Sequence, residues 1–465
     1  RGCMMRRRDF CVRSTRSNWQ MGAMAATISL MAGAAPAFAQ DAAPQAAEQT
    51  ASSGIGDIVV TARRKEEALQ SVPISVQAFS GDALSKQNVQ DANDLQKLVP
   101  ALTTYQQARD EVTMSIRGQS SSGASAQGQN PRVTAYFSQV PLQTGDTGPG
   151  KFFDLQNVQV LKGPQGTLFG RNSTGGAVLY EPARPGKEFG GYVNLQYGRF
   201  DDRQIEGAIN LPASDTLAFR FSGKVAKRDG FTKNIVTGQE LDNRNYRGLR
   251  GSMLWNPSDR FENFLMVDFT KSKTHGSSQQ IAGIDANKTF AANINQLPNN
   301  GGLNTAQPIR MVLGGPYVPY ASFVAAPATY YAQAVKDGAV AIFPNPLVPS
   351  AMAFQNEMGP RYSRTSVDAI SKSIAWGITN ISTFNINDNL TLKNIFGYRR
   401  YKQLSRYDMD GTALPLLDQV TPDGHWATNL RQISNETQLQ GKAFDGALDF
   451  TVGAFFLWSK SPKPQ

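Results

Sequence analysis

The sequence predicts a mainly β protein in which an N-terminal α/β unit precedes a transmembrane antiparallel β-barrel. Three observations carry this expectation. After Pro185, apolar and polar residues alternate with period two in long, repeated stretches. The connections between those stretches are tight and long in turn. Beyond the N-terminal region, no run of about 18 uncharged apolar residues occurs, which excludes a polytopic helical membrane protein.

The chain of 465 residues opens with an address. Arg1, Arg6, Arg7, Arg8, Arg13 and Arg16 precede an uncharged, mostly apolar stretch at 19–37, which ends in Ala37-Phe38-Ala39. A basic region, an apolar region and an A-x-A site make a secretory signal peptide, expected to be cleaved after Ala39. The first eighteen residues hold about half of the net charge of +10, so nucleic-acid binding is not expected. Cys3 and Cys11 both lie in that leader. The remaining chain can build neither a disulfide nor a cysteine–metal site.

Residues 40–67 read as a flexible Ala/Gln/Ser/Gly-rich tail carrying one β-prone hexad, Asp57-Ile58-Val59-Val60-Thr61-Ala62. No strand-like neighbour adjoins it. It is therefore expected to add to another protein's sheet edge, the alternative being an edge strand of the next domain.

Residues 68–186 read as a compact α/β unit. Strands are expected at 72–79, 112–117, 133–137 and 157–161, with short helices at 83–87 and 92–99, the second capped by Asp91. A glycine-rich run at 163–176 is expected to let backbone pack closely, against the wall of a surrounding barrel in one reading.

Residues 187–465 hold the barrel segments. Val193, Leu195 and Tyr197 alternate with Asn194 and Gln196, and Leu217, Phe219 and Phe221 alternate with Arg220 and Ser222. Such alternation gives one wet and one apolar face. Nine segments follow this rule: 189–199, 203–211, 216–228, 244–256, 260–271, 372–384, 390–403, 430–443 and 447–458. Apart from the brief 200–202 link, short turns at 211–215, 256–259, 385–389 and 444–446 alternate with long connections at 229–243, 272–371 and 404–429, as in outer-membrane barrels. A soluble β-sandwich also alternates, but a loop of about a hundred residues argues against one.

No phosphate-binding loop or nucleophile elbow is present. The two histidines, His275 and His425, stand in expected loops without a second ligand nearby. No catalytic residue, resident metal or cofactor is expected.

These segments resemble TonB-dependent outer-membrane receptors. Residues 57–62 resemble the TonB box, which pairs with the periplasmic C-terminal domain of the energy-transducing protein TonB. Val72-Pro73-Ile74-Ser75-Val76, Asp94-Leu95 and Val99-Pro100 resemble the start of the plug domain, and Ser115-Ile116-Arg117-Gly118 its I-R-G segment. The run from Val158 to Gly176, containing Lys162-Gly163-Pro164-Gln165-Gly166-Thr167-Leu168-Phe169-Gly170-Arg171-Asn172, is similar to the family's most recognisable plug segment.

The resemblance implies a plug inside a barrel in the outer membrane of a Gram-negative bacterium, and energised uptake of a scarce nutrient. The family's commonest cargo, a ferric siderophore, is expected, with a carbohydrate or cobalamin as alternatives. A passive porin and a secreted binding protein are the alternatives of another class. Tyr317, Tyr320, Tyr330 and Tyr331 of the longest loop are expected to bind substrate, and Arg117, Lys162, Arg171 and Glu206 to join plug and barrel. The family's barrel has twenty-two strands against the nine legible here. An odd number cannot close such a barrel, so a fragment or a frame-broken product is expected.

Overall fold

A computed structural model describes residues 58–65, 67–106, 112–119, 131–142, 152–170, 173–278, 356–365, 367–408 and 418–461. The signal peptide, the tail through Asp57, Arg171, the tyrosines at 317–331 and most of the 272–371 loop lie outside these residues.

The N-terminal unit begins with a two-residue strand pair, β1 (Val59–Val60) and β2 (Glu67–Ala68). Then come β3 (Val76–Ser80) and helix α1 (Gly81–Lys86), whose cap Ser80 accepts from the Ala83 amide. Strands β4 (Leu102–Gln106), β5 (Val112–Ile116), β6 (Val133–Phe137), β7 (Val140–Pro141) and β8 (Leu155–Lys162) follow. Helix α2 (Gly166–Phe169) and β9 (Gly176–Pro182) complete the unit. Its central sheet has the order β3-β8-β9-β6-β7. One face packs Val158, Val160, Val178 and Tyr180 with Leu95, Val99 and Ile116. The other packs Leu161, Leu179, Tyr136 and Phe169 with Val60 and Ala62.

Three local expectations change. The helix expected at 92–99 is one 3-10 turn, Asp94–Lys97, although Asp91 does accept from the Asn93 and Asp94 amides. Strand β9 was hidden by the glycine run, because it is buried on both faces and shows no alternation. The glycine run also serves packing inside this unit. A Cβ on Gly176, at φ +147°, would stand 2.2 Å from the Leu161 carbonyl oxygen and 2.8 Å from Ile116.

The wall starts with β10 (Gly190–Gly198), β11 (Asp202–Ser214) and β12 (Leu217–Arg228). Two short strands, β13 (Thr232–Asn234) and β14 (Glu240–Leu241), interrupt before β15 (Arg244–Ser258) and β16 (Phe261–Thr274). After β17 (Tyr362–Ser363) come β18 (Ile370–Asn387) and β19 (Leu390–Asp408). The short β20 (Asp418–Val420) precedes β21 (Thr428–Ala443) and β22 (Leu448–Lys460). The nine long strands pair antiparallel in chain order, β10-β11-β12-β15-β16-β18-β19-β21-β22, with β20 beside β19. All nine expected segments are present. Most run longer than the alternation indicated, because pairing continues beyond the apolar belt into the loops.

Links 215–216, 259–260, 388–389 and 444–447 gather at one end of the wall, and the long connections at the other. At the long-loop end β13 lies between β14 and β17, so two long connections fold on each other, with Asn234 Nδ2 donating to the Thr365 carbonyl at 3.0 Å. Along each strand alternate side chains face the α/β unit. In β15, Tyr246, Gly248, Arg250 and Ser252 are buried, while Arg247 and Leu249 are exposed.

Candidate functional site

The α/β unit lies against the inner face of the wall, and two groups of contacts hold it there. The first surrounds the N-terminal hexad. Its described residues, 58–62, are docked rather than marooned. Val59 and Val60 pair with Ala68 and Glu67, supplying the neighbour that the sequence did not reveal. The Val59 carbonyl accepts from Asn157 Nδ2 at 3.2 Å. The Thr61 amide donates to Gln159 Oε1 at 3.0 Å, and the Thr61 hydroxyl donates to Glu181 Oε1 at 3.1 Å. Val60 and Ala62 are fully buried beneath this polar row. Burial pushes the Glu181 carboxyl above its ordinary range, against the opposing pull of Arg184, Thr61, Lys393 and Arg64.

Arg64 closes the hairpin in a left-handed conformation at φ +65°, and its amide donates to the Thr61 carbonyl. Its guanidinium lies over the rings of Phe169 and Tyr136, 4.4 and 4.9 Å from their centroids. It donates to the carbonyls of Leu168 and Gln139, and pairs with Glu436 of β21 at 3.3 Å. The Arg64 carbonyl accepts from Gln440 Nε2, and Lys65 pairs with Asp449. The hexad therefore sits at the tight-turn end. There, a cavity of about 890 Å3 opens between Arg64 and Lys65 and the turns bearing Asp215, Asp259 and Asp388.

The second group centres on Asp154, at φ +47° and buried. Arg220 of β12 grips its carboxylate with two hydrogen bonds of 2.9 and 2.5 Å. Arg250 of β15 donates to the carbonyls of Phe153 and Asp154, with its guanidinium over the Phe153 ring at 4.4 Å. The Asp154 amide donates to Glu206 Oε1 at 3.1 Å. Farther along, Gln432 Nε2 donates to the Pro141 carbonyl at 2.7 Å. Gly397 of β19 leaves the seat for Val140, since a Cβ there would stand 2.5 Å from Val140 Cγ1.

Of the expected plug–barrel residues, Glu206 does touch the α/β unit, but its ion-pair partner is Lys224 of the neighbouring wall strand, at 3.1 Å. Lys162 instead donates to Gln77 within its own sheet. Arg117 is exposed, and its amide donates to the Ala101 carbonyl. The bridging residues Asp154, Arg220, Arg250, Arg64 and Glu436 carried no motif. The one available signal was charge at wall positions of inward parity. Among the described residues, no group of three or more His, Cys, Asp and Glu could hold a metal ion.

A globular unit packed on the inner face of an up-and-down β wall defines a plugged, partial β-barrel. Residues 68–177 match the family model described as TonB-dependent Receptor Plug Domain. The chain thus carries a TonB-dependent receptor plug domain, and it is similar to receptors of the Gram-negative outer membrane. It is 29% identical to the pesticin receptor of Yersinia pestis over 191 residues, covering 41% of this chain and 26% of that protein. It is 28% identical to the iron-regulated outer membrane virulence protein of Vibrio cholerae over 217 residues, covering 44% and 31%. The solved siderophore receptor PiuA from Acinetobacter baumannii superimposes with a TM-score of 0.59 at 15% identity, covering 86% of this chain and 47% of that one. At that identity the likeness speaks for the fold alone. The matched stretches span about a quarter to a third of the curated relatives and about half of the solved chain.

Proposed function

We propose that this chain is part of a receptor that takes up a ferric siderophore through the outer membrane, drawing energy from TonB and the inner-membrane proton gradient. The observation that carries the reading is the state of the hexad. Two backbone-paired residues and a row of side-chain hydrogen bonds hold it at the tight-turn end. A pair this short is replaced at little cost by a longer strand pairing with a partner's sheet edge. In an outer-membrane barrel the tight turns face the periplasm, where TonB would reach residues 57–62. Traction that breaks the hexad's own bonds would next strip Arg64 from Glu436 and from the Tyr136 and Phe169 rings. That would enlarge the adjoining cavity into an exit path.

The iron-regulated relative supports the cargo class. The loops 272–371 and 404–429, with Tyr317, Tyr320, Tyr330 and Tyr331, are proposed to bind it. With only two histidines, recognition would fall on the chelator rather than on bare iron. The test is uptake of a radiolabelled ferric siderophore in the native host after deletion of residues 57–62 from the encoded protein. Uptake should stop while surface binding of the chelate persists. Unchanged uptake rejects energised transport, and uptake of cobalamin alone rejects the cargo.

A further inference from the structure

We infer that the outward face of β16, β18, β19 and β21 is an interface for a second copy of this chain, joined through side-chain amides within the membrane. The inference rests on the membrane reading of the wall.

Inward and outward positions alternate along these strands. On β16, Phe264 and Met266 pack into the plug core, so Asn263 faces out. On β18, Thr379 and Ile381 are buried, so Asn380 and Ser382 face out. On β19 Ile395 packs inward, and on β21 Glu436 pairs with Arg64, so Asn394, Asn435 and Thr437 face out. Cross-strand register sets Asn263, Ser382, Asn394 and Thr437 in one row, and Asn380 and Asn435 in the next.

Apolar and aromatic rows bound this patch on both sides. Toward the tight turns run Phe261, Phe384, Leu392 and Leu439. Toward the long loops run Val267, Ile378, Tyr398 and Ile433. The patch therefore lies inside the lipid-facing band rather than at its rim. Followed the other way, onto β15, β12 and β11, the same rows hold Trp255 and Leu217, and Met253, Phe219 and Leu211.

Hydrocarbon offers an amide no water, so an unpaired donor or acceptor there is costly. The patch meets this demand unevenly. Asn263 Nδ2 donates to Asn380 Oδ1 at 3.3 Å, and Asn380 Nδ2 donates back to Asn263 Oδ1 at 3.2 Å. Ser382 joins them, accepting from Asn263 at 2.8 Å and donating to Asn380 Oδ1 at 3.2 Å. Asn394 and Asn435 share a single bond, Asn394 Nδ2 donating to Asn435 Oδ1 at 3.2 Å. Asn394 Nδ2 also donates to the Thr437 hydroxyl at 2.9 Å. Asn435 Nδ2 and Asn394 Oδ1 have no partner among the described residues.

The unmet groups are one donor and one acceptor on neighbouring side chains, and such a pair is its own complement. A two-fold axis along the membrane normal beside it sets Asn435 Nδ2 of each copy against Asn394 Oδ1 of the other. That is the reciprocal pattern of an isologous interface. Ser382, in register with Asn394, and Ala454, in register with Thr437, are small and let two walls approach closely.

The test uses the full chain carrying C3S/C11S, refolded into phosphatidylcholine vesicles at high lipid excess. Leu392→Cys places a thiol on the outward face of β19, two residues from Asn394. Ile209→Cys places one on the outward face of β11, away from the patch. A short bis-maleimide should link the Leu392→Cys chain into dimers and leave the Ile209→Cys chain monomeric. Adding N394L/N435L to the Leu392→Cys chain should leave insertion intact and cut the dimer by about tenfold, because two hydrogen bonds within the membrane are lost. N394L chains mixed with N435L chains should cross-link more than either alone, since only the mixed pair sets an intact Asn435 against an intact Asn394. Chains that insert but stay monomeric overturn the inference and leave the membrane reading standing. So do dimers that persist in N394L/N435L, as pairing of the sheet's end strands β10 and β22 would give, and a mixture no better than its components. Failure to enter the vesicles overturns both.

Discussion

Arg64 and Glu436 stand 3.3 Å apart, and their pair ties the residue just behind the N-terminal hexad to strand β21 of the wall. Arg64 belongs at once to the hexad's hairpin, to the Tyr136–Phe169 ring pair of the plug and to the tight-turn cavity. No other described residue joins all three. A pull on residues 57–62 that breaks the hexad's own bonds to Asn157, Gln159 and Glu181 falls next on this contact.

Glu436→Gln removes the charge and keeps the shape. A hydrogen bond to a charged group contributes about 1.5–3 kcal/mol, so hexad release should become roughly ten- to a hundredfold more frequent. Cys3 and Cys11 stand far upstream of the hexad. In a C3S/C11S background, the thiol of an Ala62→Cys variant therefore reports exposure cleanly. Its alkylation should accelerate by that factor. An unchanged rate would show that the plug contacts alone hold the hexad.

Asp154→Asn should loosen the plug more severely. Asn tolerates the left-handed backbone at this position, so the change falls on charge rather than conformation. Arg220, partly buried against the plug, loses its anion, and breaking a buried pair costs about 3–5 kcal/mol. The midpoint of denaturant unfolding in detergent should fall accordingly. A midpoint equal to that of the unaltered protein would contradict this reading of the cluster.

Gly397→Ala should push Val140 off its seat, because the new Cβ would overlap Val140 Cγ1. Overpacking of this kind costs about 1–3 kcal/mol. Val140→Ala should recover most of the loss in the double variant. Strictly additive effects would place the clash elsewhere.

Docking of the hexad should weaken as pH rises. Burial raises the folded-state pKa of Glu181 above its unfolded value. Its neutral form is therefore favoured in the docked state. That contribution is complete below the unfolded carboxylate pKa and is lost as pH climbs through the raised folded value. Alkylation at position 62, corrected for the thiol's own ionisation, should speed up across that window. Glu181→Gln, still able to accept from Thr61, should flatten the profile. A sloping profile in that variant would assign the titration to another group.

The wall was largely legible in the sequence because a strand with one face toward lipid and one toward the plug must alternate, and Val193–Tyr197 or Leu217–Phe221 could hardly be read otherwise. The order of tight and long links then placed the two ends. Interior elements were less visible. Strand β9 is apolar on both faces, so it loses the period that marks a strand, and its parallel pairing with β6 joins segments distant in sequence.

The contacts that join plug and wall were the least legible. Lys162 stood in a recognisable motif yet bonds Gln77 within the plug, and Arg117 is exposed, whereas Asp154, Arg220 and Arg250 bridge the two units without any motif. Local sequence determined the alternating wall, the β-prone hexad and the glycine turns, because each depends on neighbours a few residues away. Tertiary structure alone decided which charges meet across 66 or 372 positions of chain, as in Asp154–Arg220 and Arg64–Glu436, because ion pairing depends on distance in space and burial.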